Sequence, residues 1–150
     1  MRKITLLNTD WKYVKSAADA AAAFAASGEA VTLPHTWNAV DGQDGGNDYY
    51  RGTCWYTKKL EVPALEDGEE AWLEFTAAAM MADVYLNGEK LAHHEGGYST
   101  FRVNLTDHLQ AENELAVSVD NSDNDRVYPQ KADFTFYGGL YREVNLIVVP

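Results

Sequence analysis

One dipeptide constrains this chain more than any other feature. Asn87-Gly88 follows a run in which Ala82, Val84 and Leu86 alternate with Asp83 and Tyr85. That alternation has the period of a strand with one face buried. Asn and Gly both tolerate positive φ, so the pair predicts a two-residue type I′ turn with an antiparallel return over Glu89–His93. The pattern recurs at Glu112–Val119, with Leu115, Val117 and Val119 on one face and Ala116 and Ser118 on the other. Strands of this kind need a second layer, so the chain is expected to form two sheets closed over a shared core.

The remaining segments fit around that frame. Leu6–Val14 reads as an edge strand with Trp11 and Tyr13 on one face. Ala17–Ala26 is alanine-rich and predicts a short helix, begun by Ser16 with Asp19 in a capping box, ended by Gly28 and held down by Phe24. Val31–Leu33 is extended up to Pro34. A long passage containing Gly42, Gly45 and Gly46 follows, either ornament or the rim of a site. Tyr49–Leu60, Ala71–Thr76 and Phe101–Leu105 alternate as strands, Ala77–Met80 reads as a turn, and Thr106 is placed to cap one helical turn. In Tyr141–Val149 both faces become apolar, which predicts a central strand or one covered by a neighbouring domain.

A chain of 150 residues suffices for one core and one domain. Its 23 acidic residues against 12 basic ones leave a charge of −11, a field that repels a phosphate backbone and argues against nucleic acid as partner. No apolar run is long enough for a membrane span, so no membrane partner is expected. Met1–Lys15 lacks the apolar stretch of a leader, so a cytoplasmic location is the expectation, with a leader removed earlier left open.

Candidate chemistry is sparse. Cys54 is the only cysteine, which precludes an internal disulfide, and it reads as a buried strand residue. His35, His93, His94 and His108 lack ligand spacing, and neighbours on a strand such as His93 and His94 point to opposite faces, so no metal site is expected. Glu74 and Glu95 could be paired on paper as glycosidase carboxylates, but both read as solvated surface residues. No catalytic residue is assigned. Lys131–Arg142 stands out instead: Asp133 precedes Phe134, Phe136 and Tyr137, and then Gly138-Gly139 allows a sharp bend. A carboxylate beside aromatic rings suits a sugar, whose hydroxyls donate to the carboxylate while a ring covers the C–H face. Spacing alone leaves equally open that Asp133 caps a turn and the rings fill the end of the sandwich.

A succession of motifs runs along the chain: Leu33-Pro34-His35-Thr36-Trp37-Asn38, Tyr50-Arg51-Gly52-Thr53-Cys54-Trp55-Tyr56, Ala82–Gly88, His94-Glu95-Gly96-Gly97-Tyr98, Asn113–Val117, Val119–Ser122 and Asp133–Val144. In this order they resemble the N-terminal sugar-binding domain of family 2 glycoside hydrolases, the β-galactosidase, β-glucuronidase and β-mannosidase group. The resemblance implies an all-β, galactose-binding-domain-like jelly-roll sandwich. It also implies that residues 1–150 are one domain of a larger enzyme, followed by an immunoglobulin-like domain and a TIM barrel whose two glutamates perform retaining hydrolysis of a β-galactoside or related glycoside. By the same resemblance Asp133 reaches the barrel's site and binds sugar hydroxyls in the −1 subsite, and the parent uses a monovalent or divalent cation there, with no cofactor held by this chain. Tyr50 and Arg51 lie in a segment whose counterpart approaches the substrate, although the asparagine seen there in some β-galactosidases is missing. An independent carbohydrate-binding module and a purely bracing domain are the alternatives. Whether the parent is a homo-oligomer is left open.

Overall fold

The computed structural model describes residues 2–33, 53–76, 81–95, 100–120 and 144–150, with the backbone alone described at 35–36 and 139–140. The elements run β1 (Lys3–Leu6), β2 (Trp11–Val14), α1 (Ala20–Ala25), β3 (Glu29–Val31), β4 (His35–Thr36), β5 (Thr53–Leu60) and β6 (Glu70–Phe75). They continue as β7 (Met81–Leu86), β8 (Glu89–Glu95), β9 (Phe101–Asn104), β10 (Asn113–Asp120), β11 (Gly139–Leu140) and β12 (Val144–Val149). Two antiparallel sheets form a jelly-roll sandwich, one ordered β1-β12-β6-β9 and the other β3-β2-β5-β10-β7-β8, with β4 and β11 paired as a separate ribbon. Among the described residues no helix is long and apolar enough to cross a membrane.

The expected hairpin forms. Asn87 and Gly88 adopt φ of 52° and 84°, and Leu86 pairs with Glu89 across the two-residue turn. Alternation then decides which side chains meet. Tyr56, Leu73, Phe75, Val84, Leu115, Val117, Val119, Leu146 and Val148 come from both sheets into one buried core. β12 is central, between β1 and β6, as its two apolar faces imply.

Four expectations are corrected. The segment Leu6–Val14 is not one edge strand: it breaks at Asp10, whose φ is 60°, so β1 and β2 join different sheets and β2 lies between β3 and β5. The helix starts later than Ser16, because Asp19 itself caps it, its carboxylate accepting from the Ala22 amide at 2.8 Å. Gly28 does not end it, since the helix closes at Ala25. A Cβ at Gly28 would instead lie 2.5 Å from the Tyr13 carbonyl oxygen, so glycine is required for close approach to β2. Thr106 does not cap its 3₁₀ turn. Its hydroxyl accepts from the Ala71 amide and donates to Asn104 Oδ1, stitching the turn to β6. The predicted turn at Ala77–Met80 lies outside the described residues.

The helix packs on the outer face of the six-stranded sheet. Ala20 and Ala23 are buried against Val14, Trp55 and Ala116, with Tyr85 alongside, while Phe24 is only half-buried. Small alanines let the helix lie close to the strands. Lys12 Nζ donates to the carbonyls of Phe24 and Ala26, satisfying backbone oxygens that a six-residue helix leaves free at its end.

Candidate functional site

The register places several strand ends at one end of the sandwich. Asp120, the last residue of β10, sits opposite Thr53, the first of β5, and Met81, the first of β7. Met81 pairs in turn with Glu95, the last of β8. In the other sheet Phe75, at the end of β6, is opposite Phe101 and Val144, the first residues of β9 and β12. The segments 37–52, 77–80, 96–99, 121–138 and 141–143 therefore all leave from or return to this end.

All three substrate-binding candidates belong to those segments. Tyr50 and Arg51 stand just ahead of Thr53, and Asp133 stands between β10 and β11, and all three lie outside the described residues. What is described is the backbone that brackets them. Gly139 pairs with Thr36 and Leu140 with His35, so the strand following the Asp133 motif runs antiparallel to the strand within the Leu33–Asn38 motif. Two stretches about a hundred residues apart in sequence thus share one ribbon.

Asn8 anchors that end, a role that sequence reading missed. Its carbonyl accepts from the Leu33 amide at 2.7 Å and its side-chain oxygen from the Val144 amide at 3.4 Å, while the Leu7 amide donates to the Val144 carbonyl at 2.7 Å. One asparagine ties the β1–β2 corner to the strand entering β4 and to the start of β12. Its signal was the turn-forming run Asn8-Thr9-Asp10, which marks a corner without saying what the corner holds. A ring stack closes the sandwich nearby: Phe101 lies 4.8 Å from Phe75 and 4.2 Å from His94, centroid to centroid. The stack joins β8 of one sheet to β6 and β9 of the other.

The other residues weighed for chemistry are dispersed. Glu74 accepts from Arg102 Nε and Nη2, both at 2.8 Å, on the outer face of the four-stranded sheet. Glu95 is on β8 of the opposite sheet, 3.2 Å from His93 Nε2. Two carboxylates on opposite sides of a sandwich cannot flank one glycosidic bond. His93 and His94 do point to opposite faces, His93 outward to Asp83 and Glu95, His94 inward to Phe101. The carboxylates of Asp83 and Glu95 hold the His93 imidazole above its ordinary pKa of 6.5. Cys54 is buried, with its sulfur 3.2 Å from the Tyr13 hydroxyl. Among the described residues no group of three or more His, Cys, Asp or Glu side chains could hold a metal ion. At the far end of the sandwich a groove is lined by Lys59, Glu61, Glu112 and Asn113. The Asn113 amide there is occupied with Gln110 and Asn87, a fastening of the β10 entry to the β7–β8 turn.

Comparison with known proteins shows what the chain resembles. Residues 46–140 match the family described as glycosyl hydrolase 2 galactose-binding domain-like. The crystal structure of an FMN-binding β-glucuronidase from Facaelibacterium prausnitzii L2-6 is 45% identical and superposes with a TM-score of 0.89, over 100% of this chain and 23% of that one. A β-glucuronidase of Bacteroides fragilis is 38% identical over 79% of this chain and 17% of its own length. A β-galactosidase of Thermoanaerobacter pseudethanolicus is 30% identical over 99% of this chain and 21% of its own. The chain spans roughly a fifth of the length of each of these relatives.

Proposed function

This chain belongs to the glycosyl hydrolase 2 galactose-binding domain-like family, and from that premise we propose that it is the non-catalytic domain of a longer retaining exo-glycosidase, orienting the sugar that another domain cleaves. The observation that supports the reading is that the strands bracketing the segments that bear Tyr50, Arg51 and Asp133 start or stop at one end of the sandwich, and that β11, which follows Asp133, pairs with β4. A rigid sandwich is a suitable base for such a contact, because a side chain positions substrate only as well as its own support is fixed.

In this reading Asp133 is the positioning residue. Its carboxylate accepts hydrogen bonds from ring hydroxyls, and those bonds tighten as the sugar distorts toward an oxocarbenium-like state. Tyr50 and Arg51 flank the substrate from the segment entering β5. The glutamates that break the glycosidic bond come from the following TIM barrel, beyond an immunoglobulin-like domain. A cation used by the parent would need ligands other than the described residues, which gather no such set. The substrate is a β-galactoside or related glycoside; a β-glucuronide is favoured by the activity named for two of the relatives above.

In the complete enzyme, Asp133→Ala is expected to lower kcat/KM by roughly 10- to 150-fold, the factor carried by a charge-assisted hydrogen bond of about 1.5–3 kcal/mol. An unchanged value overturns the role of Asp133. Assays with nitrophenyl β-galactoside and β-glucuronide decide the substrate. The 150-residue chain alone should turn over neither, and titration calorimetry with oligosaccharides separates it from a free-standing carbohydrate-binding module.

A further inference from the structure

The alternation of β1 is inverted relative to the core. Register with β12 pairs Lys3 with Val148 and Thr5 with Leu146, so the polar residues take the side of the buried core, while Ile4 and Leu6 face outward. Ile4 is 59% exposed and Leu6 54%, the two large apolar side chains most open to solvent among the described residues. A slip of one residue would turn both inward. The strand does not take it, because the Leu7–Val144 and Asn8–Val144 hydrogen bonds hold the register and Leu7 already enters the core. The apolar side chains continue across the sheet: Ile147, itself only 3% exposed, lies between Ile4 on one side and the partly exposed Trp72 on the other. Beyond Trp72 the face turns polar, with Glu74 bonded to Arg102 and to Asn145.

We infer that this outer face, where Ile4, Leu6 and Trp72 stand open around the buried Ile147, is the surface on which a further domain of the same polypeptide docks. An apolar centre bordered by a hydrogen-bonded polar rim has the anatomy of a protein interface. Two observations select the occupant. The matched relatives devote only 17–23% of their length to this sandwich, so most of each chain is available to cover it. A second copy is disfavoured by the charge of −11 on each chain, which repels its own kind, whereas a tethered domain is present at millimolar effective concentration.

The inference rests on the reading of this chain as one domain of a longer polypeptide. A gene that encodes nothing beyond these residues would overturn that reading, whereas the following test can fail without touching it. Leu6→Cys is introduced into the 150-residue chain and into the complete polypeptide, and iodoacetamide labelling is followed by mass spectrometry on the peptide containing residue 6. Cys54, fully buried, lies in a different stretch. Residue 6 is expected to label about tenfold more slowly in the complete polypeptide, because thiol reactivity follows access, and at a rate independent of concentration in the short chain. Equal rates in the two proteins overturn the inference. Labelling of the short chain that slows with its concentration also overturns it, in favour of self-association. If Leu6→Cys does not fold, Ile4→Cys reports on the same face.

Discussion

The two outer faces of the sandwich begin alike and end differently. Each sheet presents apolar side chains away from the shared core: Val14, Trp55, Tyr85 and Ala116 on one, Ile4, Leu6, Trp72 and Ile147 on the other. The first face is roofed by α1, whereas on the second no described helix lies over the strands, and although Ile147 is buried, Ile4 and Leu6 stay more than half exposed. Connection length explains the difference. Between β2 and β3 the chain has residues 15–28, enough to wind a helix across the strands, whereas between β1 and β2 it has only 7–10, enough to cross from one sheet to the other. A sandwich covers itself where a loop is long enough and leaves the other face for another body to fill.

The largest expected effect would break the roofed side. Ala23→Glu puts a carboxylate at a site with no solvent exposure, against Trp55 and Ala116, and should cost about 2–4 kcal/mol in urea unfolding, bounded by the cost of undocking the helix. Unchanged stability would mean that α1 is no roof. Asp19→Ala removes the bond to the Ala22 amide and should cost about 1 kcal/mol, with faster hydrogen exchange confined to the helix. On the bare side, Ile4→Lys with Leu6→Lys should change the stability of the 150-residue chain by only about 0.5 kcal/mol per site, because both are more than half exposed. A loss above about 2 kcal/mol would erase the contrast between the faces, since it would mean that those side chains already support the fold.

The smallest effect sharpens the comparison at a margin. β8 is the outer strand of the roofed sheet, and past the reach of α1 it carries Lys90 and His93, both on Asp83, instead of apolar residues. The pKa of His93 is raised in the folded state, so its stabilising contribution is complete below the unfolded value of 6.5 and is lost as pH rises through the folded one. The melting temperature of the native chain should therefore exceed that of His93→Gln at about pH 5.5, with the difference vanishing by about pH 9. A difference that grows with pH would refute the pairing.

Much of the fold was legible in the sequence because strand alternation is local. Asn87-Gly88, the two faces of Glu112–Val119 and the central position of the last strand could be read directly, since each depends on neighbours within a few residues. Three of the four errors have a common cause. Ser16, Gly28 and Thr106 were given roles from local capping chemistry, and in each case packing against another element decided otherwise: Asp19 starts the helix where Ala20 and Ala23 meet the sheet, Gly28 passes close to β2, and Thr106 binds β6. The candidates Asp133, Tyr50 and Arg51 were read from the succession of motifs, and no local pattern disclosed that the strands bracketing their segments start or stop at one end of the sandwich.

By itself the sequence determined most of the longer strands, the tight hairpin turn and, through its ordered motifs, the jelly-roll class and the family, because these follow from periodicity, turn chemistry and motif order along one dimension. Only the tertiary structure decided that Asn8 joins three segments, that β4 meets β11 and that Ile4 and Leu6 face away from the core. Those are contacts between residues distant in the chain, set by which register buries the most apolar surface while pairing the backbone, and no window along the sequence contains both partners.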